Sequence, residues 1–160
     1  MLKYNSAMAK ALSGLRVIGC LPADLASIAD GGFYEKEGCE FLCYFKDMRT
    51  NVDLGSFEDK TGYECFINSI HIDDYVEVQW LGTALQFVDR LLGSWVRLPR
   101  SEILQVVLTS DELGATVKAH ILRHGESWVS DDLEGYESPV LVAAFNGDDL
   151  RKLINEMVGA

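Results

Sequence analysis

The stretch ILQVVLTSDELGATVKAHILR, residues 103–123, decides the fold class of this chain. Its first part, ILQVVLT, is rich in the β-branched residues that strands favour. Its last part, ATVKAHILR, alternates between apolar and polar side chains, which is the period of a half-buried strand. The polar residues 110–114 between them end in Gly114 and are typical of a turn. We therefore predict an antiparallel hairpin formed by residues 103–109 and 115–123.

Three further segments have the composition of strands. The compact apolar run PVLVAAF, residues 139–145, predicts a central strand. EFLCYFKDM, residues 40–48, predicts a largely buried strand, and YECFINSIHI, residues 63–72, predicts another because its apolar residues stand broadly in alternation. The polar residues 51–62 between these two contain two glycines and predict a loop or a hairpin connection.

One long helix stands out, and three shorter ones are indicated. Residues 81–95 carry apolar side chains at steps of three and four, namely Leu81, Ala84, Leu85, Val88, Leu91, Leu92 and Trp95. Residues 2–12 are rich in alanine, and the segment after Pro22 has proline at the start of a short helix. The last helix, residues 148–158, begins with two aspartates that complement the helix dipole.

The order of these segments predicts an α+β fold. Strands follow one another with helices interspersed and without regular βαβ alternation, which favours a mainly antiparallel sheet packed with two or three helices. No linker or internal repeat divides the 160 residues, so we predict one domain, 1–160. A chain of this length buries roughly two-thirds of its unfolded surface and needs no disulfide or structural metal for stability.

Charge is unevenly distributed along the chain. The net charge is −11, and residues 1–50 contribute nothing to it, because they hold six basic and six acidic side chains. Residues 124–150 contain no lysine or arginine and seven acids. A nucleic acid would meet a repulsive field, whereas a cationic partner would be attracted.

No motif for catalysis, nucleotide binding or metal binding is visible. The four cysteines, Cys20, Cys39, Cys43 and Cys65, form no CxxC pair, and Cys39 and Cys43 are expected on one face of a strand. Phosphate loops and nucleophile motifs are missing, so we predict no enzymatic activity, no cofactor and no metal. The N-terminal residues lack the apolar run of a signal peptide, and no apolar stretch is long enough to span a membrane. We expect a cytoplasmic protein with reduced thiols.

The acidic segment after residue 125 is the candidate binding surface. Carboxylates alternate with large aromatic side chains in this glycine-containing loop, and that combination suits recognition of lysine and arginine side chains. We add two further acidic positions to this surface. Asp73 and Asp74 stand at the end of a predicted strand, and Asp111 stands in the predicted hairpin turn. The predicted partner-binding residues are Glu126, Trp128, Asp131, Asp132, Glu134, Tyr136, Glu137, Asp73, Asp74 and Asp111.

The C-terminal 60 residues resemble small bacterial immunity proteins of contact-dependent growth inhibition and related polymorphic toxin systems. The likeness rests on size, acidic charge, the strand at 115–123, the acidic and aromatic stretch 128–136, the strand at 139–145 and the helix at 148–158. The resemblance implies a non-enzymatic α+β protein that blocks a cognate basic toxin, often a nuclease, by covering its active site or a nearby surface.

Two other functions remain open. A small enzyme or ligand-binding domain could assemble a site from scattered residues such as His71, His120 and Cys65. A structural or adaptor module could form a homodimer through the apolar helix at 81–95. The oligomeric state is not determined by the sequence.

Overall fold

The computed structural model describes residues 1–158, and its main feature is an antiparallel sheet. Seven strands form among these residues: β1 (Leu2–Tyr4), β2 (Phe33–Lys36), β3 (Cys39–Leu42), β4 (Ser69–His71), β5 (Leu104–Asp111), β6 (Gly114–Ile121) and β7 (Val140–Ala144). Five of them make one sheet in the order β1-β7-β5-β6-β4, with every neighbouring pair antiparallel. Strands β2 and β3 form a separate two-stranded hairpin.

The predicted hairpin is confirmed as the centre of the sheet. Leu104 lies opposite Ile121 at one end of the β5–β6 pair, and Asp111 lies opposite Gly114 at the other. Because β5 continues to Asp111, the connecting turn is shorter than predicted. Strand β7 lies between β1 and β5, so the apolar run at residues 139–145 is a central strand, as predicted.

The sheet is accompanied by α-helices. They are α1 (Ser6–Leu12), α2 (Ala23–Asp30), α3 (Lys60–Ile67), α4 (Trp80–Val96) and α5 (Asp148–Val158). The α+β class is therefore confirmed, and the described residues form five α-helices where the sequence predicted two or three. No helix within residues 1–158 combines the length and the apolar character needed to cross a membrane.

Helix α4 packs against the sheet and against α2 and α5. Its apolar stripe is buried inside the chain, with Phe87, Val88 and Leu92 fully covered, and it joins the apolar side chains of β5 and β6 in the main core. The stripe was the surface that the homodimer alternative required. Since it is covered by the chain itself, it is not an exposed apolar face.

The strand predicted at residues 63–72 is wrong. Residues 60–67 form α3, which begins where the Asp59 side chain accepts a hydrogen bond from the Gly62 amide, and only Ser69–His71 is a strand. The physical reason is the spacing of Tyr63 and Ile67. These side chains share a helix face and bury it in a small apolar cluster with β3. The apolar residues that suggested alternation therefore belong to the end of α3, to β4 and to the 3₁₀ turn after it, and Asn68 separates α3 from β4.

Two other segment predictions are corrected in part. Strand β3 ends at Leu42 because its partner β2 has only four residues, and a 3₁₀ turn, Cys43–Phe45, follows. Cys39 and Cys43 therefore do not share a strand face, and none of the four cysteines is in a disulfide within residues 1–158. Residues 2–12 divide into β1 and α1.

Residues 122–139, here called the covering segment, pack on the sheet face opposite helix α4. Leu133 is buried there against Val107, Val140 and Val142. The covering segment therefore carries most of the predicted binding residues on its outer surface, close to the sheet that positions them.

Candidate acidic binding site

An open groove lies at the end of the sheet where the β5–β6 turn, the end of β4 and the covering segment meet. Its volume is about 670 Å³. It brings together Asp73, Asp111 and Glu137 with Tyr136 and His71, although these residues come from three separate segments of the chain. We call this site the acidic groove. The remaining lining residues are Thr109, Ser110, Leu113, Gly114, Thr116, Gly135, Ser138 and Val140.

Backbone amides hold two of the three carboxylates in place. Asp111 Oδ1 accepts hydrogen bonds from the amides of Leu113 and Gly114, at 2.7 and 3.1 Å, and so closes the β5–β6 turn. Asp73 Oδ1 accepts one from the Ala115 amide at 3.3 Å. The Asp73 carboxylate also occupies the space that a Cβ atom at Gly114 would fill. Both charges are therefore fixed in the groove by the fold.

The third carboxylate and the aromatic ring come from the covering segment. Glu137 is exposed and takes part in none of the six ion pairs among residues 1–158. The Tyr136 hydroxyl accepts a hydrogen bond from the Ser130 amide at 2.9 Å, and its side chain is 38% exposed. Such a ring offers contact area beside a charge, which is the composition of a protein-binding hot spot.

A single buried asparagine shapes this part of the groove. Asn5 Oδ1 accepts from the Met8 and Val140 amides, at 2.9 and 3.0 Å. Its Nδ2 donates to the carbonyls of Leu133, Tyr136 and Ser138. The same side chain thus begins α1 and fixes the backbone on both sides of Glu137. No local pattern indicates this role, because the carbonyls lie more than 120 residues away in the chain.

The groove is negative throughout. No lysine or arginine stands among its lining residues, which all belong to the described part of the chain. Its imidazole, His71, is exposed, and its Nδ1 lies 3.2 Å from Thr116 Oγ1. Three carboxylates line the groove without a basic side chain, and a negative field of this kind attracts cations. The arrangement is therefore suited to binding cationic groups.

Three of the other predicted binding residues have tasks inside the protein. Glu134 Oε1 accepts from both the amide and the hydroxyl of Ser6 at the start of α1, at 2.8 and 3.0 Å. Glu126 Oε1 accepts from the Thr61 amide at the start of α3, at 3.0 Å. Asp132 accepts from the Glu134 amide within the covering segment. These carboxylates connect the covering segment to two helices or order its own backbone.

The last three predicted residues lie away from the groove lining. The Trp128 ring stands 5.4 Å from Lys118 Nζ, and Asp131 lines a smaller cavity of about 140 Å³. Asp74 is exposed in the 3₁₀ turn Ile72–Asp74, next to Asp73. The structure thus brings together Asp73, Asp111, Tyr136 and Glu137 from the predicted set, and the sequence missed Gly114 and Thr116 as parts of the same groove.

The residues of the enzyme alternative occupy different places. His71 lines the acidic groove, whereas His120 is buried in the smaller cavity beside Gln105, at 3.2 Å between the two Nε2 atoms. Cys65 lines neither of them. Burial raises the pKa of the Cys65 thiol to about 12, so it is protonated near neutral pH, and burial lowers the pKa of His120. No three His, Cys, Asp or Glu side chains within residues 1–158 are arranged to hold a metal ion.

Fold and site together define a small α+β domain whose antiparallel sheet carries an open acidic groove at one end. The chain belongs to the family described as the "Uncharacterized protein PM0498 family", which matches residues 3–154. It is similar to "Uncharacterized protein PM0498" of Pasteurella multocida (strain Pm70), with 32% identity over 117 residues. The match covers 67% of this chain and 73% of the relative. No solved structure matches the chain.

Proposed function

We propose that this chain is a non-enzymatic inhibitor that binds a basic protein, and that the acidic groove is the surface that contacts this partner. One observation carries the proposal. Asp73, Asp111 and Glu137 come from three separate segments, yet they line one open groove beside a partly exposed tyrosine and without a lysine or arginine. Asp73 and Asp111 accept hydrogen bonds from backbone amides and so also help to hold the fold together. Glu137 has no such structural contact among residues 1–158 that would explain its place in the groove.

The charge of the whole chain favours the same kind of partner. A net charge of −11 attracts a basic protein over distances of about a Debye length, and the groove concentrates that field. Association with such a partner is fast at low salt and slows as salt screens the charges. The exposed ring of Tyr136 adds apolar contact area that salt does not weaken.

The resemblance to immunity proteins supplies the identity of the partner within this proposal. A toxin that cleaves nucleic acid is cationic, because its substrate is a polyanion. An inhibitor that presents carboxylates competes with that substrate for the same basic surface. The proposed place of action is the cytoplasm, where the four free cysteines stay reduced.

Affinity capture followed by a growth assay tests this proposal. The chain is immobilised and exposed to a lysate of its native host at about 50 mM and about 500 mM salt. We expect a basic protein to bind at the lower concentration and to be largely released at the higher one. Expression of that protein alone is expected to stop growth of a test strain, and co-expression of this chain is expected to restore it.

A control chain separates net charge from the groove. The variant Asp47→Asn, Glu58→Gln, Glu156→Gln removes three negative charges from residues that do not line the groove. It should still capture the same protein. The proposal is overturned if only acidic or neutral proteins are recovered, if capture does not depend on salt, or if the captured protein leaves growth unaffected when expressed alone.

A further inference from the structure

A second groove runs along one face of α2. The residues Asp24, Ser27, Ile28 and Gly31 form one wall, and they share a helix face because positions 24 and 28, like 27 and 31, are four residues apart. The opposite wall consists of Cys43 and Tyr44 from the 3₁₀ turn and of Tyr75, and the enclosed volume is about 490 Å³. We call this site the α2 groove. It shares no lining residue with the acidic groove.

One end of the α2 groove carries an unpaired carboxylate. Asp24 lies in the first turn of α2, is exposed, and belongs to none of the six ion pairs among residues 1–158. Gly31 lies at the other end, next to Asp30, whose carboxylate is already paired with Arg90. The last turn of α2 has no basic residue, and no lysine or arginine lines the groove within the described chain.

Two tyrosines form the aromatic part of the wall. The hydroxyls of Tyr44 and Tyr75 are 3.2 Å apart, and Tyr44 is 55% exposed. Burial and the hydrogen bond with Tyr44 raise the pKa of Tyr75, and the nearby carboxylates of Asp74 and Asp24 raise it further. The face of an aromatic ring attracts cations, so these two rings suit a cationic ligand beside Asp24.

The two grooves are adjacent along the chain. Asp73 lines the acidic groove and Tyr75 lines the α2 groove, and only Asp74 separates them in sequence. The backbone amide of Tyr75 donates to the carbonyl of Ile72, so the two residues are held by the same 3₁₀ turn. The relative position of Asp73 and Tyr75 is therefore fixed by this turn.

We propose that the α2 groove binds an arginine side chain of the basic partner. The groove combines a free carboxylate with two aromatic rings, and a guanidinium group has a complementary interaction with each. It is planar and stacks on aromatic rings, it bonds a carboxylate through two N–H groups, and it loses its hydration more easily than an ammonium group does. This inference rests on the proposed function for its partner, but the site itself is testable without one.

A matched pair of peptides tests the α2 groove. The probes are N-acetyl-Gly-Arg-Gly-amide and the same peptide with citrulline, which has nearly the same shape and no charge. We expect the arginine peptide to shift the amide NMR signals of Gly31, Tyr44 and Tyr75 in a saturable manner, with a Kd on the order of millimolar for a single side chain. The citrulline peptide is expected to bind about tenfold more weakly, because it loses the charge-assisted bonds.

Variants assign the contact to particular residues. Asp24→Asn and Tyr44→Leu should each weaken binding of the arginine peptide about fivefold, because each removes one of the proposed contacts. Asp47→Asn removes an exposed charge that does not line the groove and should leave the affinity unchanged. The inference is overturned if the two peptides bind equally, or if neither Asp24→Asn nor Tyr44→Leu weakens the arginine peptide.

The peptide test and the partner test fail separately. Replacing the carboxylates of the acidic groove is expected to weaken binding of the basic partner. It should leave binding of the arginine peptide at the α2 groove unchanged. If the peptide binds and no basic partner exists, the proposed function fails while the arginine site stands. If the partner binds and the peptide shifts only residues of the acidic groove, the inference about α2 fails alone.

Discussion

Replacing Glu64 with alanine is expected to lower the free energy of unfolding by about 3–5 kcal/mol, because it leaves an arginine and two backbone amides without their common partner. Glu64 lies in α3 and is completely buried. Its carboxylate binds the Arg123 guanidinium through both oxygens, at 2.6 and 2.9 Å. It also accepts from the amides of Glu40 in β3 and Ile121 in β6, at 2.7 and 3.0 Å. One side chain thereby connects a helix with strands of both sheets.

Urea denaturation monitored by circular dichroism measures this effect, and Glu58→Ala is the matched control. Glu58 is exposed in the loop before α3, and its replacement should change the unfolding free energy by less than about 0.5 kcal/mol. Glu64→Gln should also be destabilising, because its amide group would face donors. A Glu64→Ala variant within about 1 kcal/mol of the wild type would show that the network does not hold the two sheets together.

Replacing Asn5 with aspartate is expected to cost at least about 3 kcal/mol near pH 7, because a buried charge then faces carbonyl oxygens. The new carboxylate can still accept from the Met8 and Val140 amides. It cannot donate to the three carbonyls that Asn5 Nδ2 now binds, and it repels them. The covering segment around Glu137 should loosen, so partner binding is expected to weaken as well.

The pH dependence of this variant has a definite sign. The carbonyl oxygens and burial would raise the pKa of the introduced carboxyl in the folded protein above its unfolded value of about 3.9. The charge-dependent part of the penalty is therefore absent below that value, where both states are protonated. It grows as the pH rises from the unfolded-state pKa to the folded-state pKa and is constant above it. Thermal unfolding near pH 4 and near pH 7 measures it. The exposed Asn155→Asp is the control, and an equally small effect of both changes would contradict the role given to Asn5.

Patterns within short stretches of sequence were sufficient to predict the elements whose contacts are local in the chain. The β5–β6 hairpin has two strands and its turn within about twenty residues, and the stripe of α4 is complete within one helix. Helix α3 was missed because its stability comes from packing Tyr63 and Ile67 on β3, whereas its apolar residues suggest alternation. Tertiary contacts of this kind override local preference.

The acidic groove was only partly predictable for the same reason. Asp73 and Asp111 were recognised as acidic positions, but their proximity depends on the pairing of β4 with β6, which no local pattern specifies. Glu126, Asp132 and Glu134 looked like Glu137 in sequence, yet each accepts a backbone hydrogen bond. The sequence does not distinguish a carboxylate that accepts a hydrogen bond from a backbone amide from one that is free to bind a partner.

A variant with a neutral acidic groove tests most directly whether this groove binds the basic partner. The variant Asp73→Asn, Asp111→Asn, Glu137→Gln keeps an accepting oxygen at each position and removes only the charge. The control Asp47→Asn, Glu58→Gln, Glu156→Gln changes the net charge equally, outside the groove. Titration calorimetry with the captured basic partner should show binding weakened about 100-fold by the groove variant and less than about threefold by the control. Equal affinities for the two variants would contradict the assignment of the acidic groove as the binding site.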